Sequence, residues 1–320
     1  MNLIKMKHEF EKSCLDKSYP VYESSKLEFI GVDGFDVYNC SIPFSWKGER
    51  LIFGRVEKRE EWARSWVRLF EEKGKDCWSV VPDSTIYTLE DPYVAVVGNE
   101  LTLGGTNVRK RSGKVDNYYC DFYRGTKLND MVYFTSGPDR MKDVRLVDLG
   151  SKIGVFSRPR GEYIRKEYGS ESIIGYAEIS TLDELDASVI ESAPAVSGLF
   201  DRDQWGGCNQ AYLLQDGMIG IIGHISYVDS GLDVYMNMSF VMNRETLQAS
   251  ELKIIGTRKC YPEGPCKKPY LKDCVFTGGI IMREDDRVDL YSGLGDVETG
   301  RIVIEYPFKG HGSIIGENNF

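Results

Sequence analysis

Several polar residues in this chain have types and spacings that suit chemistry on a sugar or an anion. Asp91 lies in Leu89-Glu90-Asp91-Pro92-Tyr93, just ahead of an apolar run. Pro92 pushes the preceding residue into an extended conformation, which would hold the Asp91 carboxylate at a strand entrance, as a proton donor or as an ordinary turn residue. Arg55 and Glu57 fall in Phe53-Gly54-Arg55-Val56-Glu57. Strand alternation puts both on one face, opposite Val56, either as a surface ion pair or as a clamp that a sugar or anion can approach over Gly54. Lys142 and Asp143 precede Val144-Arg145-Leu146-Val147, and Arg158 and Arg160 flank Pro159. Cations on adjoining strands can hold a phosphate dianion or form a solvated edge. His224 follows the apolar run Met218 to Gly223 and can serve phosphate, serve as acid or base, or sit satisfied in the core. Asp296 follows Gly293-Leu294-Gly295, a tight path that offers its carboxylate to hydroxyls or makes a routine turn.

The elements that must position these residues are mostly short strands. Val, Ile, Tyr and Phe fill Arg50 to Arg55, Tyr93 to Val97, Glu100 to Leu103, Met131 to Thr135, Ile153 to Ser157, Ala211 to Leu214, Met218 to His224, Val234 to Met242, Gly278 to Met282 and Arg287 to Ser292. Asp33-Gly34, Gly98-Asn99, Asp216-Gly217 and Ser230-Gly231 read as hairpin turns. Helical signals are few: Phe10 to Lys17, Leu182 to Ser192, and Glu57 to Lys73, which reads equally well as a strand with polar flanks. A glycine-flanked polar residue closes a strand pair at Gly54-Arg55, Gly104-Gly105, Ser157-Arg158, Gly223-His224 and Gly293 to Asp296, at intervals of about 50, 53, 66 and 70 residues. Each interval accommodates one four-stranded sheet. Five such units predict an all-β fold, a five-bladed β-propeller over residues 1–320 as one domain, with 1–25 as an N-terminal extension. A two-sheet sandwich is the competing all-β arrangement. The propeller makes a geometric claim: Arg55, Asp91, Arg158, His224 and Asp296 come from different blades and meet in one pocket.

Bulk composition narrows the function. The 320 residues carry a formal net charge of −9 with 42% hydrophobic residues, enough for a large core. An acidic chain repels phosphodiester backbones, so no nucleic-acid partner is expected. No apolar run approaches the roughly 18 residues that span a bilayer, and Met1 to Phe10 is no secretory signal, so no membrane partner and a cytoplasmic location are expected. The eight cysteines are scattered without a C-x-x-C pair and read as free thiols, with Cys260 and Cys266 close enough in sequence to bridge or bind metal. No metal site is expected from three scattered His. Gly104-Gly105 and Gly206-Gly207 lack nucleotide-loop spacing, and no G-x-S-x-G is present.

The polar motifs also occur in a characteristic order. Val37-Tyr38-Asn39, Gly54 to Glu57, Glu90-Asp91-Pro92, Met141 to Leu146, Phe156 to Pro159, Gly223-His224-Ile225 and Tyr291 to Asp296 form a series across residues 30 to 308. It resembles the family-108 glycosyltransferases, mannosyltransferase/phosphorylases of β-1,2-mannan and formerly a domain family of unknown function. It is more distantly similar to the family-130 mannoside phosphorylases. Trp205-Gly206-Gly207 and Gly264 to Pro269 add to the first match. The resemblance implies a five-bladed propeller with Asp91 as general acid, its proton relayed through a sugar hydroxyl. It implies that Asn39, Arg55, Asp143 and Asp296 hold the substrate, and that Lys142, Arg158, His224 and Tyr235, with Arg140, hold phosphate. Related phosphorylases carry a Lys where this chain has Gln204-Trp205.

The expected reaction is an inverting displacement between a β-1,2-mannooligosaccharide plus phosphate and mannose 1-phosphate. It needs no cofactor beyond inorganic phosphate or a sugar phosphate as co-substrate. GDP-mannose is the alternative donor. The rivals are an inverting β-mannosidase on the same fold, with Glu57 or Asp143 as its base, and a non-catalytic glycan-binding propeller. Whether the chain forms a homo-oligomer is left open. Tyr118, Tyr119, Phe122 and Tyr123 read as blade packing rather than as sugar platforms.

Overall fold

The computed structural model describes residues 1–316; the last four residues of the expected domain lie outside the described residues. Five antiparallel sheets form the blades of a β-propeller. The first runs outward from Asp36–Tyr38 through Glu49–Glu57 and Trp66–Gly74 to Cys77–Val80, with Phe44–Trp46 also paired to Glu49–Glu57. The second is Glu90–Val97, Glu100–Arg111, Lys114–Gly125 and Val132–Ser136; the third is Arg145–Asp148, Ile153–Ser157 and Gly175–Ile179. The fourth is Trp205–Leu213, Ile219–Asp229 and Leu232–Asn243, edged by Gln248–Ala249 and Lys253–Gly256. Val275–Met282, Arg287–Leu294 and Glu298–Glu305 make the fifth. The first strand of each blade is innermost; those of the second to fifth blades pack on one another in turn, and Asp36–Tyr38 of the first packs on the second and third strands of the fifth.

One short segment closes the ring. Glu23–Lys26 is the outer strand of the fifth blade, paired with Glu298–Glu305. Leu27 then donates its N–H to Thr299 O at 2.9 Å, and Glu28–Ile30 joins the first blade, parallel to Cys77–Val80. Edge strands that would otherwise stand open are thereby paired. The N-terminal helix spans Leu3–Leu15 rather than 10–17, because the Asn2 side chain caps it, accepting from Lys5 N at 3.0 Å. Leu3 and Phe10 bury its apolar face in the core of the fourth blade.

Most blade strands are covered on both faces by neighbouring blades. Ile219–Asp229 is buried through its first nine residues, and its sequence is nearly unbroken apolar rather than alternating. The region from Glu57 to Lys73 is not helical: Trp66–Gly74 is the third strand outward in its sheet, and Trp62 lies in the loop before it. Gly98-Asn99, Asp216-Gly217 and Ser230-Gly231 are hairpin turns, whereas Asp33-Gly34 joins two strands that do not pair with each other. The five recurring marks all fall on, or just after, the second strand of a blade, one position out from the axis. The innermost strands carry a different device. Their pairing slips between Glu90 and Tyr93, between Cys208 and Gln210, and between Thr277 and Gly279. Bulges of this kind re-aim side chains, and Asp91 and Asn209 sit on two of them.

Candidate active site

Asn39, Asp91 and Asp143 stand at, or within two residues of, the ends of the inner strands of three successive blades, each 52 residues after the last. All three have left-handed backbones, with φ of 48°, 49° and 61°, so Asp91 is not extended as expected of a residue before proline. Asn and Asp tolerate this conformation better than other residues with a Cβ. Asn39 and Asp91 line the axial cavity from there, whereas the Asp143 carboxylate turns to Arg158. Asp296, at φ 57° in the turn after Arg287–Leu294, brings a fourth such residue from the fifth blade.

Asp91 is buried and held on one oxygen. Its Oδ1 accepts from Asn39 Nδ2 at 2.8 Å and from Arg55 Nη1 at 2.9 Å, and Lys142 Nζ stands 3.8 Å from Oδ2. Arg55 is a hub. Nε donates to Ser65 Oγ at 2.8 Å, Nη2 to Glu90 Oε1 at 3.0 Å and to Glu57 Oε2 at 3.3 Å, and the guanidinium lies 4.7 Å from the centre of the Tyr38 ring. Burial pushes the Glu90 and Asp296 carboxyls up, and Arg55 beside each only partly offsets it.

The same cavity carries a cationic wall that begins at Lys142. Arg158 Nε donates to Gly206 O at 2.7 Å and Nη1 to Asp143, which leaves Nη2 without a partner among the described residues. Burial works against charge on Lys142, but Asp143 and Asp91 outweigh it and raise its pKa. His224 is fully buried, its Nδ1 2.7 Å from Asn209 Oδ1. Tyr235 lies 5.6 Å from the His224 ring, nearly parallel at 25°. Its OH accepts from Trp205 Nε1 at 3.0 Å and so keeps its own proton free to donate; burial pushes its pKa up to about 12.

The geometric claim holds. Arg55, Asp91, Arg158, His224 and Asp296, one from each blade, line a single cavity of about 450 Å³, together with Asn39, Glu90, Lys142 and Tyr235. Two expected site residues are placed elsewhere. Arg140 is exposed and does not line the cavity. Asp143 is 1% exposed and lies behind the wall, paired with Arg158 and, at 3.5 Å, with Arg145. Glu57 is likewise sealed, its Oε2 held by Lys267, Tyr38 and Arg55. Neither carboxylate expected as a hydrolase base therefore faces the cavity.

Sequence reasoning passed over Glu90, Asp233, Asn209 and Lys267. Tyr118, read as blade packing, instead lines the cavity, and so do Trp62 and Tyr270, which sequence reasoning passed over. Tyr119 and Phe122 are buried in their blade, as expected. Lys142, Arg158, Arg160, Asp233 and Tyr235 also line a second, wider cavity of about 1040 Å³ beneath the N-terminus. Gln204 and Trp205 belong to that second cavity, and Gln204 Nε2 donates to Met1 O at 2.8 Å. Among the described residues no group of three His, Cys, Asp or Glu is placed to hold a metal.

Fold and cavity define a class: a five-bladed propeller whose axial cavity brings buried carboxylates together with Lys142, Arg158, His224 and Tyr235. The chain belongs to the family described as protein of unknown function DUF1861, whose family model matches residues 13–310. It is 50% identical to MPT-4, a mannose phosphorylase from Leishmania mexicana solved with a phosphate ion, over 99% of this chain and 98% of that one, with a TM-score of 0.90. It is 44% identical to MPT-1, a GDP-Man-dependent mannosyltransferase from the same organism, over the whole of both chains, with a TM-score of 0.91. The β-1,2-mannobiose phosphorylase of Listeria innocua shares the fold at 15% identity, over 85% of this chain and 91% of that one, with a TM-score of 0.62. No protein with a curated description matches. The resemblance carried by the motif series is shown by these relatives.

Proposed function

We propose that this chain is a mannoside phosphorylase/mannosyltransferase that interconverts a β-1,2-linked mannooligosaccharide plus phosphate with mannose 1-phosphate. The carrying observation is the convergence of Lys142, Arg158, His224 and Tyr235 on the same cavity that Asp91 lines. The relative solved with a phosphate ion supports this reading, being a mannose phosphorylase at 50% identity.

The terminal mannose sits in this cavity, its hydroxyls held by Asn39, Arg55 and Asp296. A phosphate oxygen attacks the anomeric carbon from the cationic side. The bond to the acceptor oxygen breaks with inversion, and that oxygen takes a proton originating on Asp91. Hydrogen phosphate gives up its own proton as it becomes the sugar phosphate, so the carboxyl is restored and the protons balance. Anion and cation meet in a buried site where charges are screened little by water. Trp62, Tyr118 and Tyr270 offer ring faces to the sugars of the acceptor chain.

One observation favours a second donor, GDP-mannose. The wide cavity beside the wall has room for a nucleotide, and its Arg160 and Arg202 make no ion pair or hydrogen bond among the described residues. A cytoplasmic location fits eight free thiols.

The test is mannose 1-phosphate release from β-1,2-mannobiose with and without phosphate, beside Asp91→Asn. Release should require phosphate, and kcat should fall by roughly 10² to 10⁴ in the variant. Free mannose formed without phosphate would make the protein a hydrolase, with Asp233 at the cavity rim as the base to examine. Turnover with GDP-mannose alone would assign the wide cavity to the donor.

A further inference from the structure

His224 faces the cavity with only one of its nitrogens engaged. The ring is packed between Tyr235, at 5.6 Å, and Phe276, at 5.0 Å between centroids. Nδ1 meets Asn209 Oδ1 at 2.7 Å. An amide oxygen only accepts, so the proton of this contact belongs to Nδ1. Burial disfavours a second proton, and Arg158, Lys142 and Arg145 add to that against the pull of Asp143. The ring is therefore neutral, and Nε2 carries a lone pair. That atom is fully buried and has no hydrogen-bond partner among the described residues.

A lone pair aimed at a bound anion is repelled by any bare oxygen. It is satisfied only if the anion brings a hydroxyl. The other groups of the wall, Lys142, the free Nη2 of Arg158 and the Tyr235 hydroxyl, are donors, and they serve any tetrahedral oxyanion alike. The discrimination falls to His224.

We propose that Asn209 fixes His224 as a hydrogen-bond acceptor, so that the site selects a tetrahedral oxyanion bearing a hydroxyl over one without. Hydrogen phosphate and hydrogen arsenate qualify; sulfate, unprotonated near neutral pH, does not. The inference rests on the phosphate reading of the cavity. It gives Asn209 the role of a positioning residue that sets which ring nitrogen holds the proton. It also orients the attacking anion, since the hydroxyl turned to His224 leaves a bare oxygen for the anomeric carbon.

Calorimetric titration of the intact protein with inorganic phosphate, arsenate and sulfate, near neutral pH and at matched ionic strength, tests it. Phosphate and arsenate should bind, and sulfate should bind more weakly by on the order of 10²-fold. Arsenate serves as the size control, because it is larger than sulfate and still carries a proton. In Asn209→Leu the ring can move its proton to Nε2, and the phosphate-to-sulfate ratio should collapse toward one. Loss of folding would leave that ratio unmeasured in the variant, but the wild-type ratio decides the question alone. Sulfate binding as tightly as phosphate would mean the Asn209 amide is turned about and His224 donates, which overturns the proposal and leaves the phosphate site standing. An unchanged ratio in Asn209→Leu would overturn the role of Asn209. Absence of binding by every anion would overturn the phosphate reading itself.

Discussion

Lys267, in the loop leading to the fifth blade, ends on Glu57 in the second strand of the first, and both side chains are fully buried. Tyr38 OH and Arg55 Nη2 share the same carboxylate oxygen, and the N–H of Arg64 donates to the other at 2.8 Å. The pair ties the first and fifth blades together behind the axial cavity. Lys267→Met would strand a buried carboxylate and should cost about 3–5 kcal/mol in urea unfolding. The double variant Glu57→Gln/Lys267→Met should recover most of that loss. If the double variant is as unstable as the single one, packing rather than charge is what Lys267 supplies.

The same network sets a pH dependence. Burial alone would raise Glu57, but Arg55, Lys267 and Tyr38 outweigh it and hold its pKa down to about 2. A folded pKa below the unfolded value, roughly 4.3, stabilises the protein above the unfolded pKa and ceases to do so as pH falls through the folded one. The stability gap between wild type and Glu57→Gln should be constant near neutral pH and narrow between about pH 4.5 and 2. Glu90 and Asp296, raised by burial, act with the opposite sign, so the comparison must be made against the Glu57 variant and not against absolute stability. A gap that widens on acidification would refute this account.

Gly293 lies against the residue that steadies Asp91. A Cβ placed there would come within 1.8 Å of Asn39 Oδ1. Gly293→Ala must therefore expel the Asn39 side chain, and Asp91 loses its contact with Asn39 Nδ2. A displacement of this size should lower kcat by roughly 10². Asn39→Ala should do the same, and the double variant should be little worse than either, since both break one contact. Multiplicative losses would show that Gly293 acts elsewhere.

The sequence displayed the second strands of the blades and hid the first. Gly54-Arg55, Gly223-His224 and Gly293 to Asp296 stand out because glycine lets backbone or side chain pass closely. The Cβ of residue 223 would meet Gly207 O at 2.2 Å, much as that of 293 meets Asn39. The inner strands announce themselves only by Asn39, Asp91 and Asp143, a regular spacing of turn-like residues that the strand pattern obscured. Partner choice was also illegible. Strand alternation correctly put Arg55 and Glu57 on one face, yet nothing local says that Lys267, 210 residues away, closes the pair. The Trp62 region read equally as helix because its aromatic residues are divided between a loop rim and a buried strand, two environments that mimic a helical period when read as one.

Asp143 shows where this difference matters most. The motif series places it among substrate ligands, whereas the structure buries it behind Arg158 and Arg145. Burial alone would raise its carboxyl, but Arg158, Lys142 and Arg145 hold it well below the usual range. On the proposed function, its part is to hold Arg158 in place for the anion. Asp143→Asn should raise the KM for phosphate about tenfold or more and leave the KM for the mannoside nearly unchanged. Arg158→Lys should do the same, because an ammonium cannot hold Gly206 O and the carboxylate and still present a planar fork to phosphate. Steady-state kinetics with each substrate varied in turn separates the cases. A rise in mannoside KM with phosphate KM unmoved would return Asp143 to the sugar, and would mean that its side chain leaves Arg158 when substrate binds.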